Sequence, residues 1–273
     1  MDLLEGDVLV QLRTLPDKHF KCIVTSPPYN LGMKYGDAVD DRKPYDVYLA
    51  WIRDVFLECK RVLTDDGSLF LNVGYTSREP WIAMDVANAL RKDYVLQNQF
   101  TWVKNISIGD ISHGHFKPIN SKRFVSVTNE SVFHFTKTGV IDLSRLSIGV
   151  PFMHKSNLHS RSKAKKDEVK PDCRCRGNTW YVPYETIQSN EKERGGHPAS
   201  YPVQLADYCI KLCMGDTKDG RVLDPFVGTG TTLVAARRLG LTGTGIDINP
   251  EFLAFTRSRL EALAQSPDTS SSA

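Results

Sequence analysis

Leu223-Asp224-Pro225-Phe226-Val227-Gly228-Thr229-Gly230-Thr231-Thr232 follows a short apolar run, Arg221 to Leu223, and opens a helical pattern, Thr231 to Leu239. A strand, a glycine turn and a helix start in that order make a ligand cradle. Gly228 and Gly230 let the backbone turn tightly and approach a bound group without a Cβ, and the first helical turn offers unpaired amides. The loop lacks the Gly-Lys-Ser/Thr ending of a phosphate-binding loop, so no lysine is aimed at terminal phosphates. It also lacks the third glycine of a dinucleotide fingerprint, position 233 being Leu. The next strand, Gly243 to Asp247, ends in an acidic residue roughly twenty positions on, where a carboxylate accepts ribose hydroxyl hydrogen bonds. Asp224, Pro225 and Asp247 in this strand–helix–strand frame predict adenosine recognition without pyrophosphate recognition.

Working outward, the same alternation extends in both directions. Cys22 to Thr25 reads as a strand that Ser26-Pro27-Pro28 stops, because the prolines remove two backbone donors and stiffen the exit. Tyr48, Ile52, Val55, Phe56, Cys59, Val62 and Leu63 recur at helical spacing, and Asp66-Gly67 then turns into a strand from Ser68 to Val73. A helix from about Glu79 to Leu90, strands through Tyr94 to Val103 and Ser131 to Phe135, a helix from Val203 to Met214 and a terminal helix from about Glu251 to Leu263 complete the pattern. The predicted fold class is α/β: a Rossmann-like domain with a mixed, mostly parallel sheet. Between Lys137 and Arg194 regularity fades and the chain turns basic. Lys155, Arg161, Lys163, Lys165, Lys166, Lys170, Arg174 and Arg176 are opposed nearby only by Asp167, Glu168 and Asp172. Taken by itself such a run reads as a solvated loop.

With 273 residues, one substantial core and an insertion fit, but hardly a second domain. A composition 41% hydrophobic and 25% charged excludes a disordered chain, while a net charge of +3 neither marks nor excludes a nucleic-acid binder. Met1 to Asp7 lacks the basic start and apolar stretch of a secretory signal, and no apolar run reaches membrane-spanning length; cytoplasmic residence is the expectation. Cys22, Cys59, Cys209 and Cys213 fall in apolar patterns and read as reduced core residues. Cys173-Arg174-Cys175 misses the two-residue gap of a zinc knuckle and has no second pair, so no metal site is expected.

Taken alone, the proline exit reads as a structural turn; beside the cradle in the other half of the chain, its residue types also suit a chemistry. An exocyclic amine on a base is a poor nucleophile because its lone pair is delocalised into the ring. Activating it takes acceptors that draw on the amine hydrogens and aim the lone pair at an electrophilic methyl sulfonium. Ser26 supplies a hydroxyl, the Pro27 carbonyl accepts while Pro27 and Pro28 hold the loop stiff, and Tyr29 supplies a stacking face for an extruded base. Carbon-5 methylation of cytosine fits poorly, since this loop contains no thiol to attack the ring.

Thr25-Ser26-Pro27-Pro28-Tyr29-Asn30 together with Asp224 to Gly230 resembles the catalytic and cofactor motifs of the amino-group DNA methyltransferases. The catalytic motif comes first, an order that resembles the family's beta permutation. Asn129 to Phe135 is similar to a later core strand, and Glu193 through His197-Pro198-Ala199-Ser200-Tyr201-Pro202 is similar to the segment before the helix that completes the cofactor pocket. The resemblance implies S-adenosylmethionine as cofactor. Asp224, Phe226, Gly228 and Gly230 then line its methionine and adenosine parts, Asp247 binds the ribose, and Asp7, Pro198 and Ser200 help close the pocket; Ser200 also reads as a plain helix cap. It further implies residues 1–136 as the catalytic part, 137–194 as a target-recognition insert, 195–265 as the cofactor part and 266–273 as a tail. Duplex DNA is the implied substrate and a separate restriction endonuclease an implied partner, while the oligomeric state is left open.

Within this family a leading serine resembles cytosine-N4 enzymes, whereas adenine-N6 enzymes commonly begin the motif with Asp or Asn. Cytosine N4 is therefore the expected target. Both serine and aspartate accept an amine hydrogen, so adenine N6 stays open, as do a small-molecule or RNA acceptor and a nucleic-acid-binding protein that has lost turnover.

Overall fold

The computed structural model describes residues 1–32, 34–35, 39–40, 42–104, 106–108, 111–113, 120–153, 172–183 and 200–265. In chain order the elements are β1 (Asp2–Glu5), α1 (Val8–Thr14), β2 (Phe20–Thr25), β3 (Lys34–Tyr35), β4 (Val39–Asp40), α2 (Tyr45–Val62), β5 (Leu63–Val73), α3 (Ile82–Ala89), β6 (Val95–Val103), β7 (Ile106–Ile108), β8 (Ile111–His113), β9 (Asn129–Thr136), β10 (Val150–Pro151), β11 (Cys173–Arg174), β12 (Thr179–Tyr181), α4 (Val203–Met214), β13 (Arg221–Asp224), α5 (Thr231–Arg238), β14 (Thr242–Asp247) and α6 (Pro250–Gln265). Eight strands form one sheet in the order β1-β14-β13-β2-β5-β9-β6-β12. The first five run parallel, and β9 is antiparallel to both of its neighbours. The expected α/β class, with a mixed and mostly parallel sheet, is the one observed.

Alternation of side chains between the two faces of buried strands explains the three layers. On β5, Leu69, Leu71 and Val73 pack with α1, α2 and α3, while Phe70 faces the opposite layer with residues of α4 and α5. Val222 and Leu223 of β13 split the same way. Strands buried on both faces read as continuous apolar runs, which is why these were legible. Asp66-Gly67 does not end β5 but bulges from it: Phe20 pairs with Leu63, then Cys22 with Ser68.

Three differences from the sequence expectation have physical causes. The helix expected from Glu79 begins at Ile82, because the Thr76 hydroxyl accepts from the amides of Arg78 and Glu79 and forms a turn that Pro80 then prolongs. The amino-terminal residues add a strand and a helix that were not anticipated. β1 pairs parallel with β14, and the Asp7 carboxylate caps α1 through the amides of Leu9 and Val10 at 3.0 and 3.1 Å. Finally, the basic span returns to the main sheet. β12 pairs with β6, and Trp180 is wholly buried and stacked on Phe100 with centroids 4.2 Å apart. Burying a side chain of that size stabilises by about 2 kcal/mol or more.

The winding reverses between β13 and β2. From β13 the chain crosses through α5 to β14 on one side, and from β2 it crosses through α2 to β5 on the other. In open α/β sheets such a switch point leaves a crevice at the carboxyl ends of the strands. The glycine loop after β13 and the proline loop after β2 leave adjacent strands at that edge.

Candidate active site

Leu223 and Ile23 are register partners, and just beyond them the ends of the two strands are bonded together, Asp224 one residue on and Thr25 two. The Thr25 hydroxyl donates to Asp224 Oδ1 at 2.7 Å, a contact between residues 199 positions apart. Asp224 is buried, and its carboxylate also accepts from the Phe226 amide at 3.1 Å and the Tyr201 hydroxyl at 3.2 Å. Desolvation pushes its pKa up from 3.8 to about 6, with the hydrogen bonds from Thr25, Thr232, the Phe226 amide and Tyr201 pulling the other way. Thr232, at the start of α5, bonds the Tyr201 hydroxyl and donates to the Val24 carbonyl at 3.1 Å.

The glycine turn is pinned from outside. Asp247 Oδ2 accepts from the Gly228 amide at 2.9 Å and Oδ1 from the Asn249 amide at 2.8 Å; burial raises the pKa of this carboxyl. The Thr256 hydroxyl donates to the Gly228 carbonyl at 2.8 Å. Gly230 sits at φ +82°, and a Cβ there would lie 2.5 Å from Thr256 Cγ2, so only glycine is accommodated. Asp7 is exposed at the tip of β1, where the Gly6 amide donates to the Asp247 carbonyl at 3.0 Å.

The proline loop is held by side chains. The hydroxyls of Ser26 and Tyr29 lie 2.6 Å apart. The Tyr29 hydroxyl also reaches the Asn72 carbonyl at 3.3 Å and Glu130 Oε2 at 3.4 Å, while Asn72 Nδ2 donates to Tyr29 at 3.1 Å. Pro27 is buried, and the Pro28 carbonyl accepts from the Tyr48 hydroxyl at 2.8 Å. Asn30 takes the left-handed conformation at φ +59° and pairs through its side-chain amide with the backbone N–H and carbonyl of Lys43, closing the loop. Helix α2 bridges the two corners, since Trp51, one turn from Tyr48, meets Phe226 edge-on at 5.7 Å between centroids.

Of the expected site residues, Ser26 to Tyr29, Asp224 to Gly230 and Asp247 are thus brought together at one edge of the sheet, with Asp7 beside Asp247. Ser200 is half-buried and does not cap α4, whose cap position is Pro202. Pro198, Lys155, Arg161, Lys163, Lys165, Lys166 and Lys170 lie outside the described residues. Arg174 is exposed. Arg176 is turned inward, donating to the Ile148 carbonyl at 2.9 Å with its guanidinium 4.6 Å from the Tyr208 ring centre. Tyr48, Trp51, Asn72 and Lys104 carried no signal of their own as site residues; Thr25, Thr232 and Tyr201 stood in the quoted motifs without an assigned role, and Glu130 in a segment read only as core strand. Their partners are tens of residues away, so only the fold reveals them.

The donor set suits an adenosine-bearing cation. Asp224 is a poorly solvated carboxylate that a positive ligand would hold ionised, Asp247 ends the next strand beside the glycine turn, and the glycines leave the backbone open to close approach. A family model described as DNA methylase, covering the N6 and N4 enzymes, matches residues 20–257. The Type II methyltransferase M.ScaI of Streptomyces caespitosus is 29% identical over 274 residues, spanning 97% of this chain and 82% of its own. Among solved structures, the cytosine-N4-specific PvuII DNA methyltransferase superposes with a TM-score of 0.68 at 19% identity, over 99% of this chain and 87% of that one. TTHA0409 of Thermus thermophilus, in its complex with S-adenosyl-L-methionine, does so with a TM-score of 0.61 at 23% identity, over 96% and 93%. The family match takes in both loops that meet at Thr25 and Asp224, and the chain accordingly belongs to the DNA methylase family, as a beta-type DNA amino-methyltransferase that uses S-adenosylmethionine.

Proposed function

We propose that the protein methylates the exocyclic N4 amine of cytosine within a specific double-stranded DNA sequence, acting on a base that has left the stack. The observation that carries this reading is Ser26. A small neutral hydroxyl, not a carboxylate or amide, heads the loop bonded to the cofactor corner. Bound S-adenosylmethionine supplies an electrophilic methyl group on sulfur. Asp224, Pro225, Phe226, Gly228 and Gly230 would hold its methionine and adenosine parts, Asp247 its ribose, and Asp7, Pro198 and Ser200 would close the pocket around it.

Ser26 and the Pro27 carbonyl accept the two amine hydrogens, which favours a tetrahedral nitrogen and turns its lone pair toward the methyl carbon. Pro27 and Pro28 keep those acceptors from relaxing, and the Tyr29 ring supports the base. Direct transfer would form the N–C bond as the S–C bond breaks, its electron pair staying with the departing thioether, and the amine proton would then pass to solvent. The span 137–194 grips the duplex, with Lys155, Arg161, Lys163, Lys165, Lys166, Lys170 and Arg174 on phosphates, contacts that position without reading sequence. Arg176, packed on Tyr208, serves that span as a strut first. A separate restriction endonuclease is the natural partner of such an activity.

Incubation with labelled cofactor and unmodified duplex DNA, followed by nucleoside analysis, tests the reading. N4-methylcytosine supports it; N6-methyladenine transfers the same mechanism to the other amine; label in neither base overturns it.

A further inference from the structure

The proline loop ends in a chain of hydrogen bonds whose last member, Glu130, plays no part in the mechanism above. Glu130 stands at the start of β9, on the strand next to Asn72 of β5. Its Oε1 accepts from Lys104 Nζ at 2.9 Å, and its Oε2 accepts from Asn72 Nδ2 at 2.6 Å and lies 3.4 Å from the Tyr29 hydroxyl. Gly74 makes this approach feasible: a Cβ there would sit 3.0 Å from both Glu130 Cδ and Tyr29 Cε2.

We propose that Glu130 is a positioning residue that sets the direction of the hydrogen bonds running through Asn72 and Tyr29 to Ser26, so that Ser26 presents a lone pair to the base amine. The inference rests on the methyl-transfer reading above. A carboxylate only accepts, and a tyrosine has a single hydrogen to give. Two other oxygens facing the Tyr29 hydroxyl, on Glu130 and the Asn72 backbone, are both acceptors and draw that hydrogen away from Ser26. Tyr29 then receives the Ser26 hydrogen across the 2.6 Å contact, and the serine keeps a lone pair for the substrate beside the long 3.5 Å approach of Asn72 Nδ2. A reversed chain would have Ser26 accept from Tyr29 and offer its own hydrogen to an amine that already carries two.

Asn72 shows the same bias. Its amide is turned with the NH2 toward Glu130, Tyr29 and Ser26, which leaves Oδ1 buried without a hydrogen bond among the described residues. Turning the amide over would satisfy no carboxylate, so the ion pair of Lys104 and Glu130 dictates an orientation that the asparagine alone would not prefer.

The test is a double-mutant cycle under single-turnover conditions, with labelled S-adenosylmethionine and long unmodified duplex DNA. In Glu130→Gln, either orientation of the new amide sets an NH2 group against the Lys104 ammonium or against the Asn72 and Tyr29 donors. The methyl-transfer rate should fall roughly tenfold or more, with the affinities for cofactor and DNA unchanged. In a Ser26→Ala background the same substitution should cost nothing further, because Glu130 acts only through that hydroxyl; a general structural role would add its full cost again. Tyr29→Phe, which cuts the chain while keeping the ring, should reproduce the rate loss and serves if Glu130→Gln unfolds. A Glu130→Gln or Tyr29→Phe rate within twofold of wild type, or an undiminished Glu130→Gln effect on top of Ser26→Ala, overturns the proposal while leaving the methyltransferase reading intact. Wild-type protein that transfers no methyl group to DNA overturns both.

Discussion

The two corners of the site are built on opposite plans. In the cofactor corner, carboxylates grip backbone: Asp247 holds the amides of Gly228 and Asn249, and Asp224 holds that of Phe226. In the base corner, side chains grip side chains, from Ser26 through Tyr29 and Asn72 to Glu130 and Lys104. The first plan makes a rigid cradle whose shape depends on glycine, on the buried Asp224 and on the half-buried Asp247. The second makes a polarised surface whose shape tolerates substitution but whose hydrogen-bond direction does not. Mutations should accordingly separate binding from chemistry along the boundary between the two.

The largest separation is expected at Ser26. Ser26→Ala removes one acceptor for the amine and should lower single-turnover methyl transfer roughly a hundredfold or more, leaving cofactor affinity in calorimetry as in the wild type. A rate equal to wild type would remove Ser26 from the mechanism. Asp247→Ala is the converse. It frees the Gly228 and Asn249 amides and deletes the proposed ribose acceptor, so cofactor affinity should drop about tenfold to a hundredfold, and saturating cofactor should restore most of the rate. Unchanged affinity would mean that Asp247 shapes the turn without touching the ligand.

The same contrast explains what could be read before folding. The cofactor corner was legible because its chemistry is backbone conformation, and glycine at 228 and 230 with an acid closing the next strand writes that conformation locally. Ser26 to Tyr29 was legible for the same reason, as two prolines stopping an apolar strand. Asn72 and Glu130 were not, since each is an ordinary polar residue on a strand and gains meaning only where β5 and β9 pair. The bond of Thr25 to Asp224 was equally invisible: a threonine ending a strand is unremarkable until β2 and β13 lie side by side. β1 and α1 escaped notice because seven helical residues and four strand residues hold only about two periods of either pattern, and their stability comes from β14 and α2.

The halves also titrate in opposite senses. Asp224, raised to about 6, keeps its proton in the folded protein over a range where the unfolded chain, at 3.8, has lost it. The native state then binds more protons, so stability falls as pH rises from about 4 to 6, by up to roughly 3 kcal/mol at ~1.4 kcal/mol per pH unit. His134, buried between Ser68 and Asn98 and stacked on Phe70, is pushed down from 6.5 to about 4 by desolvation. There the unfolded chain binds more protons, and stability rises with pH across that window. The two slopes offset each other in the cofactor-free wild type. Asp224→Asn should expose the histidine slope, giving a free energy of unfolding in denaturant that climbs steadily from pH 4.5 to 6.5. A profile parallel to wild type would show that Asp224 titrates normally.

The smallest effect is expected at Tyr201, where the segment before α4 meets both corners. Its hydroxyl donates to Asp224 Oδ2 at 3.2 Å and bonds Thr232, whose own hydrogen bond reaches the Val24 carbonyl behind the proline loop. Tyr201→Phe keeps the ring and removes one donor from a buried acid that still has Thr25 and the Phe226 amide. Stability should fall by about 1 kcal/mol, and the Asp224 titration should move further up, because a bond to the charged form has gone. Cofactor affinity at pH 8 should stay within a few-fold of wild type, since Asp224 is ionised there with or without this tyrosine. A loss as large as that of Asp247→Ala would instead place the hydroxyl on the ligand itself and make the segment before α4 part of the cradle, not its brace.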